Sequence, residues 1–229
     1  FMLGEGEEQL IETMEAYRKW KSSGGTRDEF LNMAAEIRGI YVPKFYDVEY
    51  NEDASIRSIK PMREGIPGKI KKRVIKDLKG SYFPDKIVVP FIDIVHDRIM
   101  LEIFRGCTRG CRFCNAGMAY RPRRVRKVKD VVEQTVKGIQ STGWEEVSLV
   151  SLSSSDHENL PEIVSKIGSS LSGRAVSISL SSLRADNFSL EIAETAAGGK
   201  KTGLTFAIEA GSQRLRDVIN KNLTEEQLM

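Results

Sequence analysis

The second half of the chain alternates between short apolar runs and longer segments with helical periodicity. Four apolar runs predict strands, at residues 99–104, 146–152, 175–180 and 203–209. Each is followed by a segment with apolar residues on one helical face, at residues 129–140, 161–171, 189–197 and 212–220. Such alternation predicts an α/β fold with a parallel sheet or barrel and helices outside it. Chemistry in such folds lies at the carboxyl ends of the strands.

The first 25 residues have a different pattern. A short apolar stretch leads into Gly4-Glu5-Gly6-Glu7, and Leu10, Met14 and Tyr17 then recur with helical spacing until Gly24. This pattern predicts the last strand and last helix of an α/β domain.

Residues 26–98 are mixed and are punctuated by several prolines. They predict a short helix at residues 28–38 and a strand pair at residues 45–50 and 55–60. We interpret this region as a connector with a small sheet.

Composition excludes few functions. A formal net charge of +3 does not by itself indicate a nucleic-acid partner, and the most apolar run, residues 87–95, is too short to cross a bilayer. No secretory signal pattern is present at the start of the sequence. Three cysteines within eight positions are no disulfide framework, so we expect a reducing, cytoplasmic location.

All three cysteines, Cys107, Cys111 and Cys114, lie in the stretch GCTRGCRFC, directly after the first predicted strand. Thiolates bind soft metals and iron–sulfur clusters. A structural zinc site normally has four protein ligands, whereas three thiolates leave one iron of a [4Fe–4S] cluster open. The alternatives are a zinc site completed by His96 or His157, or three buried thiols.

This CxxxCxxC motif after the first strand of a βα repeat resembles that of the radical S-adenosylmethionine (SAM) superfamily. The resemblance implies that SAM chelates the open iron of a [4Fe–4S] cluster and is cleaved reductively to a 5′-deoxyadenosyl radical. It also implies that Phe113 packs near the adenine. Because family barrels usually have six βα units, we expect a partial (β/α) barrel over residues 99–229.

Polar residues follow each later predicted strand, where SAM would lie. By resemblance, Arg184 holds the SAM carboxylate, since guanidinium groups pair well with carboxylates. Glu209 closes its strand and suits ribose hydroxyls. Ser153 and Ser154, in a serine-rich stretch ending at Asp156, are candidates for the methionine amino group, and Ser212 is a further candidate polar contact.

The stretch IVHDRIMLEIFRGCTRGCRFCNAGMAYRP is similar to a bacterial group within the cobalamin-binding branch of this superfamily. Residues 1–25 resemble the end of the Rossmann-like cobalamin domain of that branch. The resemblance implies three parts: residues 1–25 as the end of that domain, 26–98 as a connector, and 99–229 as a truncated radical SAM core. Cobalamin is then a cofactor of a longer protein, and this piece alone need not be active.

Several functions stay open at this point. The first hypothesis, implied by the resemblance, is an enzyme that cleaves SAM reductively and then acts on an unknown substrate, with cobalamin-linked methyl transfer as one form of this reaction. Alternatives are RNA modification of the methylthiotransferase type and a non-catalytic zinc or iron–sulfur module. A basic run at residues 121–129 could meet RNA phosphate or an acidic one-electron reductant such as flavodoxin; a ferredoxin is the other candidate reductant. A solvated charged face is the plainer interpretation of that run.

Overall fold

A computed structural model describes residues 1–84, 86–187 and 205–228. The chain forms two compact units, Phe1–Lys76 and Asp77–Met229. The division between them falls inside the predicted connector of residues 26–98.

The helices of the first unit are α1 (Gly6–Ser23) and α2 (Arg27–Ala35). α1 ends at Gly24, as its pattern predicts. α2 begins with a capping box: the Thr26 hydroxyl accepts from the Glu29 backbone N–H, and the Glu29 carboxylate accepts from the Thr26 N–H. α2 ends earlier than predicted, and a short turn separates it from Gly39.

The buried side of α1 differs from the predicted one. Leu10 and Met14 are exposed, whereas Gln9 and Ala16 are buried. The Gln9 side chain is held inside because its Nε2 donates to the backbone carbonyl of Arg38 at 3.0 Å. A hydrogen bond to a distant loop thus outweighs the apolar periodicity of this helix.

The apolar residues before α1 do not form the predicted strand. Met2 makes an isolated antiparallel bridge with Ile40, and Gly4 makes a parallel one with Arg73. The predicted strand pair is confirmed as an antiparallel pair, β1 (Tyr46–Tyr50) and β2 (Ile56–Pro61). A small apolar core supports this unit; its buried members are Ala34, Ile40, Val42, Phe45 and Tyr46.

The second unit contains more regular structure. Its strands are β3 (Ile99–Glu102), β4 (Phe104–Arg105), β5 (Arg124–Val125), β6 (Glu146–Val150) and β7 (Ser177–Leu180). Its helices are α3 (Asn115–Ala119), α4 (Val128–Thr142), α5 (Leu160–Ser170) and α6 (Gln213–Val218). β3, β6 and β7 form a parallel sheet in that order, so the mixed α/β fold with a parallel sheet is confirmed.

One face of this sheet carries the core. Alternate strand residues such as Ile99 and Leu101 are fully buried with apolar residues of α4 and α5, whereas Met100 on the opposite face is exposed. α4 approaches β3 closely at Gly138, where a Cβ atom would lie 2.8 Å from Cδ1 of Ile99. The strands that lead to the polar loops are therefore packed closely against the helices.

The fourth predicted βα unit is described only in part. The helix predicted at residues 189–197 lies outside the described residues. Of the strand predicted at residues 203–209, the described part contributes a single parallel bridge from Phe206 to Leu183. The last predicted helix is confirmed in shorter form as α6. Within the described ranges, the parallel sheet has three strands and does not close into a barrel.

Among the described helices, none has both the length and the apolar character needed to cross a bilayer. The cytoplasmic location expected from the cysteines stays a prediction.

Candidate functional site

The three cysteines line one cavity of about 180 Å³, which we call the thiol cavity. All three are unpaired thiols and are partly buried. The cavity lies where the loop after β4 meets the segments that follow β6 and β7. Its lining contains seven of the nine predicted site residues: Cys107, Cys111, Cys114, Phe113, Ser153, Arg184 and Glu209. Topology therefore brings together side chains that are up to 102 positions apart in the sequence, from Cys107 to Glu209.

The cysteine loop starts at Gly106, whose φ is 85°. A Cβ atom here would lie 2.6 Å from the carbonyl oxygen of Tyr120 and 2.7 Å from that of Pro122. Both atoms belong to the backbone and cannot rotate away. Glycine is thus required where the chain leaves β4 and turns into the thiol cavity.

Two backbone N–H groups point at cysteine sulfurs. The Arg109 N–H donates to Sγ of Cys107 at 3.4 Å, and the Gly117 N–H donates to Sγ of Cys114 at 3.3 Å. The second bond makes Cys114 the N-cap of α3. Hydrogen bonds of this kind stabilise negative charge on sulfur, as in cluster-binding loops.

The far side of the loop is fixed by the end of α6. Nδ2 of Asn220 donates to the carbonyl oxygens of Gly110 at 2.9 Å and of Arg109 at 3.3 Å. The Arg112 N–H donates to the carbonyl of Ile219 at 2.9 Å. The middle of the loop that carries the thiols is therefore anchored to the residues that follow α6.

The two candidate serines differ. Ser153 lines the thiol cavity and its hydroxyl donates to Oδ2 of Asp156 at 2.7 Å. Ser154 is buried behind it, where its hydroxyl lies 2.9 Å from that of Ser151 and 3.4 Å from the Leu149 carbonyl oxygen. Ser153 has the position that a cavity ligand could reach.

Arg184 lies at the cavity wall and is buried. Its Nε and Nη2 donate to the Asp186 carboxylate at 2.9–3.3 Å, and Nη2 also donates to the Lys221 carbonyl at 2.7 Å. The predicted carboxylate-binding residue is thus already neutralised by a neighbouring carboxylate.

Glu209 reaches the cavity from an unusual backbone conformation. Its φ is 71°, and Ser182, which also lines the cavity, has φ 54°. Left-handed backbone at residues other than glycine is costly and clusters at functional sites. The Glu209 carboxylate lies 3.3 Å from Nζ of Lys221, whose side chain is only 9% exposed.

The remaining two predicted residues have separate positions. Phe113 lines the cavity with its ring half exposed. Ser212 is exposed, and its hydroxyl accepts from the Leu215 N–H at 3.4 Å as the N-cap of α6. Helix capping therefore accounts for Ser212 without a ligand.

Neither histidine lines the thiol cavity. His157 is buried beside Phe104, its Nδ1 accepts from the Asn159 N–H at 3.1 Å, and burial together with the Arg123 guanidinium lowers its pKa. His96 lies next to Arg98 at the surface. Their positions disfavour a zinc site completed by histidine.

Within the described ranges, no three His, Cys, Asp or Glu side chains converge as they would on a single metal ion. A [4Fe–4S] cluster binds each cysteine through a different iron, so its ligands need not converge on one point.

Sequence reasoning missed three residues of the site: Arg109 and Lys221, which line the thiol cavity, and Asn220, which anchors the cysteine loop. Arg109 bridges Asp156 and Asp186, and the Asp156 carboxylate raises the pKa of its guanidinium. Lys221 and Asn220 come from the end of α6. Arg109 could have been singled out as the charged residue between the first two cysteines, whereas nothing local distinguishes Lys221 or Asn220.

The basic run at residues 121–129 is not a solvated stripe throughout. Arg126 is buried, and its guanidinium donates to the carbonyl oxygens of Glu102 and Leu78. Arg123 lies over the Phe104 ring, 4.8 Å from its centroid. Much of this positive charge thus serves the fold.

A second cavity of about 370 Å³, which we call the apolar cavity, adjoins the first and shares Leu152 with it. Its other lining residues are Glu102, Phe104, Arg105, Gly106, Tyr120, Val150 and Ser151. Glu102 and Arg105 form an ion pair there, at 2.8–3.2 Å.

Comparisons with known proteins agree with this geometry. The model of the radical SAM superfamily matches residues 101–229, and that of the N-terminal region of radical SAM proteins matches residues 1–43. Uncharacterized protein MJ0966 of Methanocaldococcus jannaschii is 32% identical over 172 residues, which are 71% of this chain and 37% of that protein.

Among solved structures, the fold is similar to that of the cobalamin-dependent S-adenosylmethionine radical enzyme OxsB with aqua-cobalamin and S-adenosylmethionine bound. The TM-score is 0.53 at 17% identity, covering 98% of this chain and 30% of OxsB. The apo form of OxsB gives 0.52 at 17% identity, covering 97% and 29%. The chain thus spans well under half the length of these proteins. With a superfamily match that extends over more than half of its residues and includes the cysteine loop, the chain belongs to the radical SAM superfamily.

Proposed function

We propose that this chain is the cluster- and SAM-binding part of a radical SAM enzyme of the cobalamin-binding branch. The observation that carries the proposal is the convergence of three free thiols and three strand-end polar residues on one cavity. When bound, a [4Fe–4S] cluster supplies the electron that cleaves SAM to a 5′-deoxyadenosyl radical.

The residues present fit a cluster. Cys107, Cys111 and Cys114 supply three thiolates, and two of them accept backbone hydrogen bonds that favour the charged sulfur. Three cysteines leave one iron of a four-iron cluster without a protein ligand, and the family resemblance assigns that position to SAM. The loop's anchoring to α6 keeps the three sulfurs on the cavity side.

SAM has complementary groups in the same cavity. Ser153 is suited to accept from the amino group, and Glu209 to accept from ribose hydroxyls. Arg184 and Lys221 are both buried cations at the wall, and each already contacts a carboxylate, Asp186 and Glu209 respectively. We assign the SAM carboxylate to the two cations jointly. Phe113 offers an exposed ring face for the adenine.

The adjoining apolar cavity is our candidate for the substrate. The wall at Leu152, which the two cavities share, would keep a substrate beside SAM, and Phe104, Tyr120 and Val150 offer it apolar contacts. In this proposal, the three parallel strands are part of an incomplete barrel, and the exposed sheet face of Met100 lies toward its interior.

Cobalamin-linked methyl transfer is the finer proposal. The cobalamin part of this proposal is supported by the fold likeness to OxsB, which is described as cobalamin-dependent, and by the match of residues 1–43 to an N-terminal region of radical SAM proteins. The methyl transfer itself rests on the family resemblance. Residues 1–25 are then the end of a cobalamin domain. A flavodoxin or ferredoxin would supply electrons. RNA modification gains no support from the basic run, because Arg126 and Arg123 are engaged within the fold.

The proposal is tested by anaerobic reconstitution with iron and sulfide, followed by reduction and EPR spectroscopy with and without SAM. We expect a [4Fe–4S]⁺ signal that changes shape when SAM is added. The matched control is the variant with Cys107, Cys111 and Cys114 all changed to alanine, which should give no cluster signal. The proposal would be overturned if the protein bound zinc in place of iron, or if the EPR spectrum of the cluster did not change on addition of SAM.

A further inference from the structure

Arg109 connects the cysteine loop to the ends of two strands. Its Nε lies 2.8 Å from Oδ2 of Asp156, after β6, and its Nη1 lies 3.1 Å from Oδ2 of Asp186, after β7. Asp186 in turn accepts from Nε and Nη2 of Arg184 at 3.0 and 2.9 Å. We call Arg109, Asp156, Asp186 and Arg184 the charge quartet.

The charge quartet is poorly exposed to solvent. The exposed fractions of its side chains are 28% for Arg109, 14% for Asp156, 8% for Asp186 and 5% for Arg184. Two positive and two negative groups sum to zero. Because these side chains are mostly buried, salt and water screen their charges less than they screen surface charges, so a change in this balance is felt by nearby groups.

The quartet lies directly beside the thiols. Arg109 stands between the first two cysteines in sequence, its own N–H donates to Sγ of Cys107, and both Arg109 and Arg184 line the thiol cavity. Without Arg109, the charge quartet would hold two carboxylates and one guanidinium.

We propose that Arg109 sets the reduction potential of the cluster by balancing Asp156 and Asp186 next to it. This inference rests on the proposed function. Reduction adds one electron, taken from the one-electron donor, to the cluster. A nearby positive charge favours the reduced form, and an unbalanced carboxylate opposes it. A quartet with no net charge would keep the reduction potential of the cluster high enough for its donor to reduce it.

Arg109 also connects the loop to the strand ends through hydrogen bonds, so its electrostatic effect on the potential must be separated from a structural effect. Bonding and net charge can be varied independently here. Arg109→Gln gives the quartet a net charge of −1, and Asp156→Asn gives it +1. The double variant and Arg109→Lys both leave the net charge of the quartet at zero, although each removes some of the hydrogen bonds from Arg109 to Asp156 and Asp186.

The measurement is the midpoint potential of the reconstituted cluster, followed by EPR during a redox titration without SAM. We expect the potential to become more negative in Arg109→Gln and less negative in Asp156→Asn. It should return toward the wild-type value in the double variant. Arg109→Lys should stay near wild type. A purely structural role would instead give shifts that do not follow the sign of the charge.

The matched control is Arg112→Gln, which removes one positive charge from an exposed position in the same loop. We expect a smaller shift there, because solvent screens that group. Iron content and the unfolding temperature of the metal-free protein verify folding. If Arg109→Gln retains no cluster, Asp156→Asn and Arg109→Lys decide the matter, since only the former should shift. Equal potentials in those two would overturn the inference, whereas a wild-type protein without a cluster would overturn the proposed function itself.

Discussion

The ammonium of Lys221 lies 3.3 Å from the carboxylate of Glu209 at the wall of the thiol cavity. The pair comes from two segments that flank α6. In the function proposed above, Lys221 would bind the methionine carboxylate of SAM and Glu209 would accept from the ribose hydroxyls.

We predict that Lys221→Met weakens SAM binding by about 10- to 100-fold, the usual cost of losing a hydrogen bond to a charged group. The measurement is the SAM dissociation constant of the reconstituted protein by equilibrium dialysis. Lys166→Met is the control, because Lys166 forms an exposed ion pair with Glu162 on α5. Equal affinities in the two variants would remove Lys221 from the site.

Gly106→Ala should destabilise the second unit and impair cluster binding. The left-handed backbone costs about 1–2 kcal/mol for alanine, and the contacts at 2.6 and 2.7 Å with backbone oxygens add to this. The measurement is the free energy of unfolding in urea together with iron content. Gly143→Ala is the matched control: its φ is 75°, but a Cβ there meets no atom within 4 Å. A similar loss in both variants would show that crowding at Gly106 is unimportant.

The sequence predicted the positions of the thiols and of three strand-end residues. The spacing of the cysteines is local, and the ends of parallel strands lie together in any sheet of this kind. Ser153, Arg184 and Glu209 therefore converge as expected. Ser154 does not, because a 3₁₀ turn at Ser154–Asp156 directs it into the interior. Turn geometry of this kind depends on contacts that a pattern of residue types does not contain.

Charged residues were the harder part. The basic run was expected to be solvated or to bind a partner, yet Arg126 is buried and bonded to two carbonyl oxygens. Because these partners lie 24 and 48 positions away in the sequence, the local pattern did not indicate them. Lys221 is similar, since its partner Glu209 lies 12 positions earlier, before α6. Periodicity locates helices and strands; it does not reveal which distant oxygen will neutralise a given charge.

Asn220→Ala should loosen the cysteine loop. Of the three hydrogen bonds that the change removes, two hold the loop through the carbonyls of Gly110 and Arg109, and each is worth about 1 kcal/mol. We expect faster loss of iron to a chelator and a lower unfolding temperature. Asn222→Ala is the control, because Asn222 is exposed and has nearly the same backbone conformation, with φ 54° against 56°. It removes the donation from Nδ2 of Asn222 to Oδ1 of Asn220 at 3.2 Å but keeps both bonds from Asn220 to the loop. Matching rates of iron loss would contradict a role for Asn220.

His157 should make the stability of the protein depend on pH. Burial, followed by the nearby Arg123, lowers its folded-state pKa below the ordinary value of 6.5. Protonation of this histidine is therefore easier in the unfolded chain than in the folded one. The folded state has its full stability with respect to His157 above about pH 6.5, and it loses stability as the pH falls from there toward the folded-state pKa. We expect urea unfolding at pH 7.5 and 5.5 to show a larger stability loss in wild type than in His157→Gln. His96→Gln is the control at the exposed histidine and should keep the wild-type loss. An unchanged pH dependence in His157→Gln would mean that other groups govern acid sensitivity.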